Sequence, residues 1–322
     1  MRWAVNGIGA CILENRRIRC VVLPDVGAKI HQLIHKEADR DLLYHHPRVE
    51  VRTPVFGVNA DNWWSGGIDD AIPTGHACVV GSEDLPFLGE VWSLPWSSEQ
   101  VTDHSVRFTR QGVITPFAIE KTLELRPDEP FVRMHHRVTN VGLESVQLIW
   151  GIHPSVPIGL ATRIQVPATR GVIEEFGPTQ RHLDAKGVTY DWPRRSMTDL
   201  GGQPSGAWDL HYAIGLQAGW LAVWDQAWGT GFGMTFPLDV FDSVAVWLVD
   251  GGWRGIRCAA VEPWAGYPSR LDEAIAAGHA RTIEPGGELT ADTRLIAFNT
   301  TRPISGFTED GNPIATTKGV AL

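Results

Sequence analysis

The chain has 322 residues and a formal charge of -9, with 28 Lys and Arg against 37 Asp and Glu. Its basic residues are scattered, which excludes a nucleic-acid-binding stripe. No apolar stretch approaches the length of a membrane span, and "MRWAVNGIGACILENRR" has no uninterrupted apolar core of an export signal.

Four cysteines (Cys11, Cys20, Cys78 and Cys258) show neither CxxC pairing nor zinc-site spacing. A cytoplasmic protein with free thiols is the expectation. In chain order, "CILENRRIRCVVLPDVGAKIHQLIHK" predicts strands broken at Glu14-Asn15 and Pro24-Asp25. His31 and His35 have helical spacing, but the alternation around them favours strand. In "WWSGGIDDAIPT", Asp69 and Asp70 read first as a solvated turn pair, although the glycines would let a ligand approach the backbone.

"SVRFTRQGVITPFAIEKTLELRP" and "PFVRMHHRVTNVG" continue the strand pattern. Adjacent His135 and His136 point to opposite faces of a strand, so they cannot easily share a metal ion. A further strand is predicted over Val146–Ile152. Pro154 must end or bend it, because proline lacks a ladder donor. His153 then sits where the strand leaves its sheet. In "WLAVWDQAWGTGFGMTF", Asp225 either binds a hydroxyl or begins a turn.

"SVAVWLVDGGWRGIRCAAVEPW" ends in the same arrangement as the His153 strand, with Glu262 after apolar residues and before Pro263. Partial desolvation would raise its pKa and suit it to general-base work. The plainer reading is a carboxylate held by an arginine such as Arg257. "SRLDEAIAAGHA" predicts a short helix with Ser269 as cap, Asp272 and Glu273 near its start and Gly278 at its stop. "GELTADTRLIAFNT" predicts a last strand. No solenoid repeat or linker divides the chain. The expected architecture is one large antiparallel β-sandwich over residues 1–300, with one short helix near the C-terminus and an irregular tail over 301–322.

Fourteen tryptophans accompany four tyrosines. Most should be core residues, but Trp63-Trp64, Trp92 with Trp96, and Trp220, Trp224 and Trp228 are hard to bury as a set. Their flat faces suit the C–H surface of a sugar ring.

Several segments in order carry a resemblance: "LPDVGAKIHQLIHKEADRDLLYH", "WWSGGIDDAIPT", "GEVWSLPW", "IWGIHP" and "VEPWAGYPSRLDEAIAAGHARTIEPGGEL". From about Leu23 to Phe298 the chain resembles the galactose mutarotase-like (aldose 1-epimerase) superfamily. The resemblance implies a super-sandwich that holds a sugar in an open cleft on its concave sheet, with no metal or organic cofactor. Glu262 falls on the catalytic glutamate, which takes the proton of the anomeric hydroxyl. His153 falls on the histidine that protonates the ring oxygen. Opening to the aldehyde, rotation about C1–C2 and closure then interconvert the anomers.

Asp70, on a loop that the resemblance places at the cleft rim, is a candidate sugar contact, as are His76, Glu90 and Asp225. Trp64, Trp92 and Trp264 adjoin these segments, and at least one of them should line the cleft. Glu262 and His153 should face each other across it, with room for one pyranose ring between them. One departure concerns Leu88 in "LGE", which stands where relatives often carry a histidine; His76 could supply the missing donor. A non-catalytic carbohydrate-binding protein, or a lyase or different isomerase on the same fold, stays open because fold does not fix function. A lyase acting on uronic acids would want a cation cluster. The obvious basic pair, Arg194-Arg195, has no assigned place. The sugar and the oligomeric state are left open.

Overall fold

The computed structural model describes residues 3–159, 161–179, 184–194, 199–201 and 204–316. Among these, two antiparallel sheets of twelve and nine strands form the body of the molecule. The centre of the larger sheet runs Lys29–His35, Ile68–Ala71, Trp150–Pro157, Arg257–Ala265, Ser243–Asp250, Ala207–Ile214 and Arg170–Phe176. The smaller sheet is centred on Thr230–Thr235, Glu288–Asn299, Phe131–Asn140 and Phe117–Glu124.

Alternation decides which side chains meet between the sheets. In Phe117–Glu124 every second residue is buried. Phe117, Ile119 and Leu123 join Ile152, Ala259 and Val261 of the larger sheet in one core. The strand Arg257–Ala265 is instead buried along almost its whole length. The outer face of the larger sheet carries a second apolar layer, which includes Tyr212, Ala245, Trp264 and Leu271. A continuous apolar run is what a strand covered on both faces requires.

The core holds charges that the sequence reading placed elsewhere. Asp69 and Asp70 are not a solvated turn pair; they lie in the strand Ile68–Ala71 and both are buried. Asp70 faces the space between the sheets. There its carboxylate lies 2.7 Å from Lys121 Nζ and 3.0 Å from His136 Nε2. Asp69, on the opposite face, lies 2.5 Å from Lys29 Nζ. Each carboxylate has found a lysine, the condition under which a buried charge is tolerated.

Three boundaries also differ from expectation. Val146–Leu148 pairs with Arg281–Ile283, while Trp150–Pro157 runs on through Pro154 as a separate strand of the large sheet. The chain therefore changes sheets at Ile149 and not at His153. The helix spans Leu271–Ala277 and ends at Gly278 in the left-handed region, as the stop signal implies. Its start is held by Thr74 Oγ1, which accepts the Leu271 N–H at 3.1 Å, and not by Ser269. In the segment read as an irregular tail, Ile304–Phe307 and Pro313–Ala315 form a hairpin. Phe307 packs edge-on against Trp220 and Phe298; residues 317–322 lie outside the described residues. No described helix is long and apolar enough to cross a membrane, and all four cysteines are free thiols.

Burial sets an acid limit on this fold. Desolvation lowers the pKa values of His31, His35, His46, His76 and His136, and takes His31 and His76 from 6.5 to about 4. The unfolded chain takes up these protons near pH 6.5 and the folded chain does not, so unfolding gains as pH falls. Stability is expected to drop between about pH 6.5 and pH 4. Denaturant midpoints measured across that window check this, and a flat profile would show that these histidines accept protons without cost in the fold.

Candidate active site

The strands Trp150–Pro157 and Arg257–Ala265 are neighbours, registered by Gly151 opposite Trp264 and Ser155 opposite Ala260. Three residues on each strand lie between these pairs, which puts His153 directly across from Glu262. Pro154 and Pro263 occupy the same interval, and neither can donate a ladder hydrogen bond. No Cα pair is registered between the two strands there. The histidine-proline and glutamate-proline pairs seen in the sequence are two sides of one interruption in the sheet.

Glu262 and His153 project to the same outer face and are nearly buried, at 3% and 7% exposure. Glu262 Oε1 lies 3.6 Å from His153 Nε2. Glu262 Oε2 accepts the Trp264 indole N–H at 3.0 Å. Burial raises the Glu262 pKa, opposed by His153 and by the Trp264 hydrogen bond. Arg257 is not its partner, for that guanidinium is bound to Asp250 at 2.7 Å.

Trp264 reaches this position because Gly151 stands across from it. A Cβ at Gly151 would come within 2.3 Å of Trp264 Cε2. Gly151→Ala is therefore expected to push the indole off the strand and break its bond to Glu262, with a stability loss of about 1–3 kcal/mol from overpacking. A thermal melt together with near-ultraviolet circular dichroism would read both effects. An unchanged melt and spectrum would show that the indole has room to spare.

Glu262 and His153 line a cavity of about 440 Å³ on this face of the sheet. Among the candidate sugar contacts, Trp64, His76 and Trp264 also line it, as does Leu88. His76 stacks on Phe87 at 5.0 Å and lies 3.7 Å from the Glu175 carboxylate. Leu88 adopts a left-handed backbone, φ 61°, beside Gly89 at φ 68°. A Cβ at Gly89 would lie 1.9 Å from the Ile72 carbonyl oxygen, so this turn needs glycine.

Four other candidates lie elsewhere. Asp70 is between the sheets, as described. Glu90 is buried and accepts the N–H groups of Val113, Ile114 and Thr115 at 2.6–3.0 Å, so it fastens a loop. Trp92 is buried, with its N–H given to the Phe87 carbonyl. Asp225 accepts the Ala227 N–H at 2.8 Å and holds a turn outside the cavity. Each of these polar groups is satisfied by backbone or by an opposite charge that the local sequence does not reveal. Glu262 and His153, expected to flank a ring, are instead adjacent on the cavity floor.

The sequence reading missed much of the wall. Trp247 and Trp253 meet Trp64 edge-on, with ring centroids 5.4–6.2 Å apart across the trio. Glu175 enters through an irregularity in Arg170–Phe176: Ile173 pairs with His211 and Glu175 with Leu210, with Glu174 unpaired between them. Such a bulge re-aims side chains. Here Glu174 accepts the Ser269 hydroxyl at 3.1 Å, and that hydroxyl in turn accepts from Tyr212 Oη at 3.3 Å. The "WLVDGGW" spacing of Trp247 and Trp253 was a usable signal; the bulge left none.

Among the described residues no three or more His, Cys, Asp and Glu side chains converge to hold a metal ion.

Residues 8–85 match a family model described as a domain of unknown function, DUF5107. Solved structures resemble nearly the whole chain. One from Klebsiella pneumoniae, provisionally described as an aldose 1-epimerase, aligns with a TM-score of 0.72 at 12% identity and covers 93% of this chain and 82% of its own. An Escherichia coli K12 protein with the same provisional description gives 0.66 at 16% identity, covering 89% and 98%. A galactose mutarotase-like protein from Lactobacillus casei gives 0.63 at 16% identity, covering 90% and 100%. The protein has the galactose mutarotase-like fold.

Proposed function

We propose that the protein is a mutarotase of the aldose 1-epimerase type, acting on a free sugar held in the cavity above Glu262 and His153. The observation that carries this reading is the side-by-side placement of the two groups on the floor of an aromatic-walled cleft. The hydroxyl and ring oxygens of a sugar hemiacetal share one carbon, so one edge of the ring can meet both groups at once. A ring lying between side chains 3.6 Å apart would not fit. The sugar must therefore stand edge-on, with the tryptophans beside its faces.

In this pose Glu262 accepts the proton of the anomeric hydroxyl while His153 gives one to the ring oxygen. The C1–O5 bond breaks, its electron pair stays on the ring oxygen, and the aldehyde forms. After rotation about C1–C2 the two transfers reverse on the other face of the carbonyl. Burial supports the base role, because a raised Glu262 pKa brings it nearer to working pH. Leu88 offers no hydrogen bond on its side of the cavity, which leaves His76 as a candidate contact for a hydroxyl there.

The test is anomer exchange on a panel of neutral and amino aldoses, followed by polarimetry or NMR with the spontaneous rate subtracted. A mutarotase accelerates exchange for the sugars it binds. Binding without acceleration on any of them would leave a carbohydrate-binding module and remove the catalytic assignment.

A further inference from the structure

Two carboxylates that line the cavity lack a direct lysine or arginine ion pair among the described residues. Asp61, in the 3-10 turn Ala60–Asn62, and Glu175, beside the bulge, both line the cavity. Among the described residues neither forms an ion pair with lysine or arginine. The neighbour of Glu175 is His76, 3.7 Å away, which burial keeps neutral by pushing its pKa down to about 4. Cations near the cleft are engaged elsewhere. Arg270 holds Asp272 at 2.6 Å and Glu273 at 3.2 Å. Lys186 lies 3.9 Å from both Glu174 and Glu273. Arg254 donates to the Asp61 carbonyl oxygen and to Asn62 Oδ1, and stacks on Trp253.

Partial burial raises the pKa values of both Asp61 and Glu175; Arg254 opposes the rise at Asp61, and at Glu175 repulsion from Glu174 and Asp61 adds to it while Lys186 opposes it. The same cavity is lined by the edge-on trio Trp64, Trp247 and Trp253, with Arg254 already stacked on the Trp253 ring. Two carboxylates without a direct ion pair and the remaining indole surface in one cavity are complementary to a positive charge.

We infer that the cleft selects sugars bearing a free ammonium group, the amino sugars, over neutral sugars, and rejects sugars bearing a carboxylate or phosphate. This rests on the reading of the cavity as a sugar site, not on catalysis in it. An ammonium group would meet one or both carboxylates and relieve their mutual repulsion. An anionic sugar would bring a like charge into a partly desolvated site, which is a strong means of rejection.

The experiment is equilibrium binding, by calorimetry or tryptophan fluorescence, of glucosamine, glucose, N-acetylglucosamine and glucose 6-phosphate. N-acetylation removes the charge and keeps a substituent at the same carbon. Glucosamine is expected to bind at least about tenfold more tightly than glucose or N-acetylglucosamine, and glucose 6-phosphate more weakly than all three. The glucosamine advantage should shrink as salt is raised. The double variant Asp61→Asn, Glu175→Gln should remove it. Equal affinity for glucosamine and glucose would overturn the inference, as would an advantage that survives the double variant or high salt. Amine preference without anomer exchange would remove the mutarotase reading and leave this one; exchange on neutral sugars without amine preference would do the reverse. No binding of any of the four would overturn both.

Discussion

Glu262→Gln is expected to lower the rate of anomer exchange by about 10²–10⁴-fold while sugar affinity changes little. Glutamine keeps the length of the side chain, and its carbonyl oxygen can still accept the Trp264 N–H. It cannot take a proton from the anomeric hydroxyl. His153→Asn should cause a loss of similar size by removing the acid. In the parent protein the rate should fall on the acid side as Glu262 becomes protonated. Because burial raises its pKa above 4.5, that limb should lie above the ordinary carboxylate range. Parent-like exchange in Glu262→Gln would end its role as base. A loss seen equally in affinity would show that Glu262 holds the sugar and does not move a proton.

The second large effect lies away from the cleft. Asp70→Asn is expected to destabilise the fold by about 3–5 kcal/mol, because it leaves Lys121 buried against an uncharged partner. Lys121 is 2% exposed, and among the described residues its other hydrogen-bond partner is the Ala28 carbonyl at 2.8 Å. The double variant Asp70→Leu, Lys121→Met should recover much of the loss, since two apolar groups leave no stranded charge. Burial by itself would raise the Asp70 pKa, but Lys121 and His136 outweigh it and hold it well below the usual range. Its contribution is therefore present above the unfolded carboxylate pKa near 3.8 and is lost as pH falls through the lower folded value. Chemical denaturation gives the energies. If Asp70→Asn instead weakened sugar binding in a stably folded protein, Asp70 would belong to the cleft after all.

Period-two alternation and frequent turn signals were enough to reveal a β-sandwich, because alternation is what a half-buried strand must show. The two residues at the centre of the site were also visible, for a reason clear only in the sheet: each stands beside a proline that breaks the same ladder. Sequence could not show that the two interruptions coincide, since register is a long-range property. Asp70 and Glu90 were misread for a related reason, while Asp225 took the turn that was one of its two readings. A carboxylate beside glycines looks the same whether its partner is a sugar hydroxyl, Lys121, or the backbone of residues 113–115. The wall residues Trp247, Trp253 and Glu175 come from separate strands and loops that converge only on folding.

Glu262 and His153, the proposed acid-base pair, rest on two adjoining strands deep in the larger sheet, whereas Asp61, Leu88 and Trp253 come from the turns above it. These two parts are subject to different tolerances as sequences diverge. A change at the pair must satisfy the register of a central sheet with proline on both sides. A change in the turns disturbs fewer neighbours. On the proposed function, a lineage would thus retain the chemistry while it exchanges one sugar for another, altering the rim and keeping the strands beneath.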